Sequence, residues 1–400
     1  MSSSAEVATA RPDTQGPVGA GLSRARKLAA VVGDYARITR EAFAYEALRT
    51  PEILGKTLDA RLRYNLGPVD FFLYDLMNRP RSTWREYLRE HPHNDKMLRI
   101  LHPFDVEFVV RDKVLASERF VAHGVPIAPI TAVVGRRSGP PCNGDFPMLG
   151  DVEAVMAAMP AWPDRLFVKP VSGSYGEDTM ALQRDGEGWI ESGRRLSARE
   201  LAERLVGSSD PTGVLVQPRI ANDPRMAGIS CGVGLCATRV VTALTVDGPE
   251  VFVAAHKVLG SDAVADNFRK GMSGNLVCPV DIRTGRLSVA YGRRAGGRFL
   301  LDRYTHHPAT RQRLEGFKLP HWDAVIDLAK KASLAFPELP FLGHDIAITG
   351  DGPLMLETNS HWRITFPQLA RGGLRTAFRE LIPRLATSEE KKAAALAALD

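Results

Sequence analysis

No run of apolar residues approaches eighteen, so no membrane-spanning helix is expected. Cysteine is scarce. The four present in 400 residues (Cys142, Cys231, Cys236 and Cys278) include no Cys-x-x-Cys pair. That speaks against a disulfide framework or a zinc site and points to reduced thiols in a cytoplasm. The net charge of +6 is spread along the chain, and no nucleic-acid-binding module or internal repeat is visible. Nucleic acid is therefore not an expected partner, while polyanionic ligands such as nucleotides suit the balance. Residues Met1 to Gly21, rich in Ser, Ala, Gly, Thr and Pro, lack the apolar core of a secretory signal and read as a disordered tail.

What is present is an ordinary globular composition, 44% hydrophobic and 24% charged, long enough for two or three lobes. The spacing of Leu28, Val31, Val32, Tyr35, Ile38, Ala42 and Tyr45 predicts a basic helix over Ser23 to Leu48. It reads as a helix packed on the body of the protein, with a membrane-surface or partner-docking helix as the sharper alternative. A second helical region, Leu58 to Leu101, should break near Asn78-Arg-Pro80 and His91-Pro-His93, and another helix should run from Lys113 to His123. Strands are expected at Arg165–Pro170, Val214–Gln217, Thr238–Val246 and Val251–His256, then a helix through Trp322, Val325, Ile326, Ala329 and Ala332. Glu389 to Asp400 reads as a frayed helix. The grouping of strands and helices gives an α+β class.

The most informative stretch is Phe341 to Asn359, two short strands joined by Gly350-Asp-Gly-Pro353. Period-two alternation turns Glu357 and Asn359 to one face, and a tight hairpin can bring Asp345 beside them. Two carboxylates and an amide oxygen suit Mg2+ carrying nucleotide phosphates. The bland reading is a hairpin with unrelated acids at its tip. Upstream, Val168-Lys-Pro-Val-Ser-Gly-Ser-Tyr-Gly176 places Lys169 in an apolar strand before a Gly/Ser loop. Such a loop lets backbone N–H groups approach phosphate, although it has neither the Gly-Lys-Ser/Thr ending of a Walker A loop nor dinucleotide spacing, and an ordinary turn looks the same. Val214 to Ile220 could hold an adenine between apolar side chains and backbone groups. Arg239 sits in a strand, open to phosphate pairing or to a structural salt bridge. Asp266 to Asn275 is a polar, basic loop. His306 and His307 are adjacent, diverge, and read as structural.

Taken in order, these pieces resemble an ATP-grasp enzyme. The closer similarity is to the sugar-transfer-associated ATP-grasp family. It is carried by Asp266-Asn-Phe268 with Gly271, Pro279-Val-Asp-Ile-Arg-Thr-Gly285, His307-Pro-Ala-Thr310 and the run Gly343 to Asn359, and it spans about Pro68 to Arg379. The resemblance implies two α+β lobes gripping ATP behind a helical N-terminal region. The expected divisions are 1–22 tail, 23–101 helical region, 102–211 first lobe, 212–385 second lobe with the metal site, and 386–400 C-terminal tail. It implies Lys113, Lys169, Ser172, Gly173, Ser174 and Gly176 around the phosphates, Gln217, Pro218, Arg219 and Ile220 at the adenine, and Lys169, Arg239 and Asn359 in catalysis. Asp345, Glu357 and Asn359 would bind Mg2+, with Mn2+ able to substitute. Two departures stand out: Gln217 where many members carry Glu, and Arg363 after His361-Trp362 where an acid is expected.

The chemistry this implies is carboxylate activation. ATP phosphorylates a carboxylate, and an amine or thiol displaces phosphate from the acyl phosphate, in polysaccharide or secondary metabolism by association with the family's name. The partners are then small molecules, and a homodimer is left open. A small-molecule kinase on the same fold and a non-catalytic nucleotide-binding protein are the alternatives.

Overall fold

The computed structural model describes residues 32–33, 36–37, 40, 50–137, 146–172, 178–231, 234–260, 268, 273–294 and 301–400. The chain divides into two compact units, Met1–Phe71 and Phe72–Asp400. Of the expected basic helix, the described positions Val32, Gly33, Ala36, Arg37 and Arg40 are helical. The first unit also holds α1 (Thr50–Tyr64), which carries the i,i+4 ion pair Glu52–Lys56 at 2.8 Å. A short helix, α2 (Pro68–Leu73), ends the helical lead-in.

The second unit is α+β, as expected from sequence. Its first lobe is a seven-stranded sheet of order β2-β1-β7-β3-β4-β5-β6. The strands are β1 (Ala132–Val134), β2 (Met148–Leu149), β3 (Arg165–Pro170), β4 (Met180–Asp185), β5 (Gly188–Glu191), β6 (Arg194–Leu196) and β7 (Val214–Pro218). One face packs on helices given by Val152–Ala158 and Ala198–Val206 around Leu166, Val168, Trp189, Leu201 and Val216. The latter helix opens with a capping box in which Ser197 and Glu200 each take the other's backbone N–H.

The second lobe is a fully antiparallel seven-stranded sheet, β12-β11-β10-β9-β8-β13-β14. Its strands are β8 (Ala237–Thr245), β9 (Gly248–Val258), β10 (Leu276–Val280), β11 (Ala290–Arg293), β12 (Leu301–Tyr304), β13 (Phe341–Thr349) and β14 (Gly352–Asn359). Helix Trp322–Leu334 covers one face. Segments from both sides of the first lobe in sequence cover the other, with Leu88, Met97, Leu98 and Leu101 packing beside Trp362, Phe378, Ala395 and Leu399. The C-terminal helix, Glu389–Ala397, is therefore not frayed: Ser388 caps it, and Ala395 and Leu399 are buried. The exposed edge of β14 is closed by the linker before β1, where Met355 N–H donates to Pro126 O and Ala128 N–H to Met355 O, both at 2.9 Å. Among the described residues no helix is long and apolar enough to cross a membrane.

Two family-like motifs are structural here. In Pro279 to Gly285, the Asp281 carboxylate accepts from Arg283 and Thr284 N–H, and Gly285 turns at φ +71° against Trp322, whose indole donates to Ile282 O at 2.7 Å. A Cβ on Gly285 would stand 2.4 Å from Trp322 Cγ. Gly285→Ala is expected to cost about 2–4 kcal/mol in urea denaturation, from steric overlap plus the left-handed backbone. A loss below about 0.5 kcal/mol would mean the turn relaxes freely. In His307-Pro-Ala-Thr310, buried His307 donates from Nε2 to Leu259 O at 2.7 Å, and its Nδ1 accepts from Ala309 and Thr310 N–H. That fits the structural reading of this histidine.

Candidate active site

The local reason for the site is strand register. Arg239 on β8 stands opposite Asp345 on β13, and Asp345 opposite Glu357 on β14, so three charged side chains form one row across three strands. A bulge between Asp345 and Ile346 shifts the ladder at that point. Asn359, two residues after Glu357, donates from its amide toward Glu357 Oε1 at 3.4 Å. The hairpin expected from sequence thus forms, and it brings Asp345, Glu357 and Asn359 together.

Asp345 is more heavily engaged than sequence reasoning anticipated. Arg239 donates to it in a fork, Nε to Oδ1 and Nη2 to Oδ2, each at 2.5 Å. Lys257 Nζ reaches Oδ2 at 3.0 Å. All three side chains are buried or nearly so. Burial would raise the Asp345 carboxyl, yet the charges and hydrogen bonds of Arg239 and Lys257 hold it well below the usual carboxylate range. Lys257 was missed from sequence. Its signal was available: a lysine in the apolar run Val251 to Val258 needs an anion.

The first lobe supplies the opposing charges. Residues 166, 168 and 170 of β3 face the lobe's core, so Lys169 turns to the other face, where its Nζ donates to Leu356 O on β14 at 3.2 Å. Burial pulls the Lys169 ammonium down to about 8, against the upward pull of Glu357. Lys113 opens the helix Lys113–Ala122. Asp112 caps that helix, accepting from Val114 and Leu115 N–H, and is itself held by Arg136 at 2.8 Å. Lys113 Nζ donates to Val171 O at 3.1 Å, and burial lowers it as well, with Glu357 the chief opposing charge. Glu357 is thus the carboxylate that acts most on both lysines.

Ser172 N–H donates to Asp210 Oδ2 at 3.1 Å and its hydroxyl meets Thr212 Oγ1 at 2.9 Å, anchoring the start of the Gly/Ser loop. Gly173, Ser174 and Gly176 lie outside the described residues, as do Asp266, Asn267 and Gly271 of the polar loop. Phe268 is buried against Phe366, over whose ring Arg239 lies at 5.7 Å. At the linker, Gln217 spends both amide hydrogens on backbone, donating to Ala128 O and Pro129 O. Pro218 pairs with Leu166, and Arg219 N–H donates to Arg165 O at 2.8 Å. Ile220 is half-buried. The side chain of Gln217 is thus occupied in joining the linker to the strand.

The string Gly228-Ile-Ser-Cys-Gly232 has hydrolase-elbow spacing, but Ser230 follows a 3-10 turn in extended backbone and donates to Met226 O at 3.4 Å, so no strand-to-helix elbow forms. Among the described residues no set of three His, Cys, Asp or Glu side chains is arranged as a metal cage.

A family model described as sugar-transfer associated ATP-grasp matches residues 93–381. No curated protein matches. Among solved structures, N5-carboxyaminoimidazole synthase from Aspergillus clavatus, in complex with ADP and its ribonucleotide, is similar at 11% identity, covering 65% of this chain and 46% of that one, with a TM-score of 0.34. An L-amino acid ligase from Bacillus licheniformis is similar at 12%, covering 67% and 44%, with a TM-score of 0.34. The D-alanine-D-alanine ligase from Coxiella burnetii is similar at 13%, covering 74% and 60%, with a TM-score of 0.36. The chain spans about half the length of the first of these, 46% of it. Likenesses this low carry no argument about substrate.

Proposed function

The chain belongs to the sugar-transfer associated ATP-grasp family, and from that premise we propose that it is an ATP-dependent ligase that activates a carboxylate as an acyl phosphate and passes the acyl group to an amine or thiol. The observation that carries this reading is the charge arrangement. Lys113, Lys169, Arg239 and Lys257 gather around Asp345 and Glu357. Such a site suits a polyphosphate and a developing phosphoryl anion.

A resident Mg2+ fits this donor set. Glu357 and Asn359 offer hard oxygens side by side. Asp345 has about four lone-pair positions, of which Arg239 and Lys257 take three. When bound, the ion would neutralise phosphate charge. The residues of the chain do the rest. Lys113 and Lys169 hold phosphate oxygens from the first lobe, and Arg239 and Lys257 stabilise negative charge from the second. The backbone of Gln217 to Ile220 receives the adenine. Little proton transfer is needed, because in-line positioning and charge neutralisation supply most of the acceleration. The setting is cytoplasmic and the substrates are small molecules.

The test is incubation with Mg-ATP, hydroxylamine and a pool of cellular carboxylates, with Lys169→Met as the blank. Hydroxamate above the blank is the expected result, and its mass names the acid. ADP formed with a stable phosphate ester and no hydroxamate would replace the ligase with a kinase.

The lowered Lys169 gives a pH signature. Phosphate binds the protonated ammonium, which in the free protein is lost above about 8. ADP affinity should therefore be level between pH 7 and 7.5 and fall above about pH 8, approaching about tenfold per unit. Titration calorimetry from pH 7 to 9.5 checks this, and a flat profile would remove Lys169 from the phosphate contacts.

A further inference from the structure

Next to the cationic row lies a polar cluster of opposite character. Glu107, on the helix Phe104–Arg111, has the His361 Nε2 at 2.7 Å from its Oε1 and the His102 Nδ1 at 3.6 Å. His102 is only 4% exposed, and among the described residues neither of its ring nitrogens has an aligned hydrogen-bond partner. Glu107 Oε1 is buried as well and faces both imidazoles. Buried polar atoms are nearly always paired in folded proteins, and a group of them left open together marks a place where a ligand completes the network.

The chemistry of that ligand follows from the three groups. Burial would raise the Glu107 carboxyl, but the two imidazoles hold it down to about 2, so it is an anion. Burial keeps His102 neutral, which leaves it one acceptor nitrogen. Lys391, whose charge bears on His102, is engaged with Leu101 O at 3.3 Å. An anionic carboxylate beside an imidazole acceptor calls for a cation with several N–H donors. Residues 104, 107 and 108 share one side of the helix, and Phe104 and Phe108 are 81% and 43% exposed there, offering apolar surface to a carbon skeleton.

The position suits the second substrate. His361 follows Asn359 by two residues, so their Cα atoms lie within about 7 Å. Glu107 lies six residues before Lys113 on the same stretch of chain. The two regions then divide the work by sign, the cationic row for phosphate and acid, the Glu107 cluster for a cation. We propose that Glu107, with His102 and His361, forms the subsite that receives the ammonium of a primary amine; it gives one proton to the neutral acceptor nitrogen of His102, and the free amine then attacks the acyl carbon as phosphate leaves. This rests on the ligase reading above and selects an amine over a thiol.

The test is methylammonium binding to the full chain carrying labelled histidine, followed in histidine ring spectra at constant pH and ionic strength with sodium chloride as the control. Saturable shifts at His102 and His361 are expected. Glu107→Gln should weaken them at least about tenfold, as expected when one member of a charged hydrogen-bonding pair is removed. Lys169→Met should leave them intact while losing ADP. If Glu107→Gln does not fold, the parent decides: shifts confined to His102 and His361 among the ten histidines support the subsite, and absent or scattered shifts overturn it. Saturable shifts without hydroxamate from any carboxylate would keep the amine subsite and remove the ligase. Hydroxamate with no methylammonium effect would do the reverse.

Discussion

Asp345→Ala should destabilise the second lobe by about 3–5 kcal/mol, because it removes the carboxylate that the buried Arg239 and Lys257 share. The pair buries a forked guanidinium and an ammonium on one carboxylate. Urea denaturation would show a lowered midpoint at unchanged slope. Pyrophosphate should restore part of the loss, since an anion bound to the native state alone at a hundred times its Kd returns about 2.7 kcal/mol. A variant within about 1 kcal/mol of the parent, unaffected by pyrophosphate, would mean that the row is not held together by this charge pairing.

Lys169→Met should behave in the opposite way. Its ammonium is depressed to about 8 by burial, so its charge is held at a cost to folding. The sign follows from proton binding. Between about 8 and the ordinary lysine value the unfolded chain holds more protons than the native one, so stability should rise as pH climbs through that window. Methionine, of similar length and uncharged, should leave stability equal or about 1 kcal/mol higher at pH 7, and should remove most of the rise with pH. Turnover of ATP should fall about 100- to 1,000-fold, the scale of one lost transition-state donor. Thermal melts at pH 7 and 9, together with ADP release, read both effects. A variant that is both unstable and active would contradict the assignment of Lys169 to the phosphates.

Much of the second lobe was legible because its signals are local. The hairpin Phe341 to Asn359 has apolar alternation, a Gly-Asp-Gly-Pro turn and acids at fixed spacing, and register did the rest. The helix after Asp112 carries its cap in sequence. The antiparallel pair β8–β9 was also visible from its apolar runs, with β8 displaced by one residue and β9 begun three residues late and ended two early. What was not legible was set by distant partners. The use of Gln217 on Ala128 and Pro129, and of Arg136 on Asp112, depends on segments that meet only in the fold. The strands β4 to β6 were overlooked although Asp185-Gly-Glu-Gly188 and Ser192-Gly193 mark their turns, because these short strands lack an apolar run. The C-terminal helix was read as frayed because alanine and lysine dominate it, yet Lys392, Ala395 and the C-cap Ala398 are buried. Leu396 and Leu399, which decide its packing, are too few to show a period.

The way the second lobe closes bears on synthesis. The first lobe is one continuous stretch of chain with its own core from Ala132 to Val216, so it can form while the ribosome is still adding residues. The second lobe draws Leu88 to Leu101 from before that stretch and Ala395 to Leu399 from the far end into a single core. Its sheet must wait, with an apolar face uncovered, until Leu399 has been added and has left the ribosome. A stalled or shortened nascent chain would present that face to chaperones.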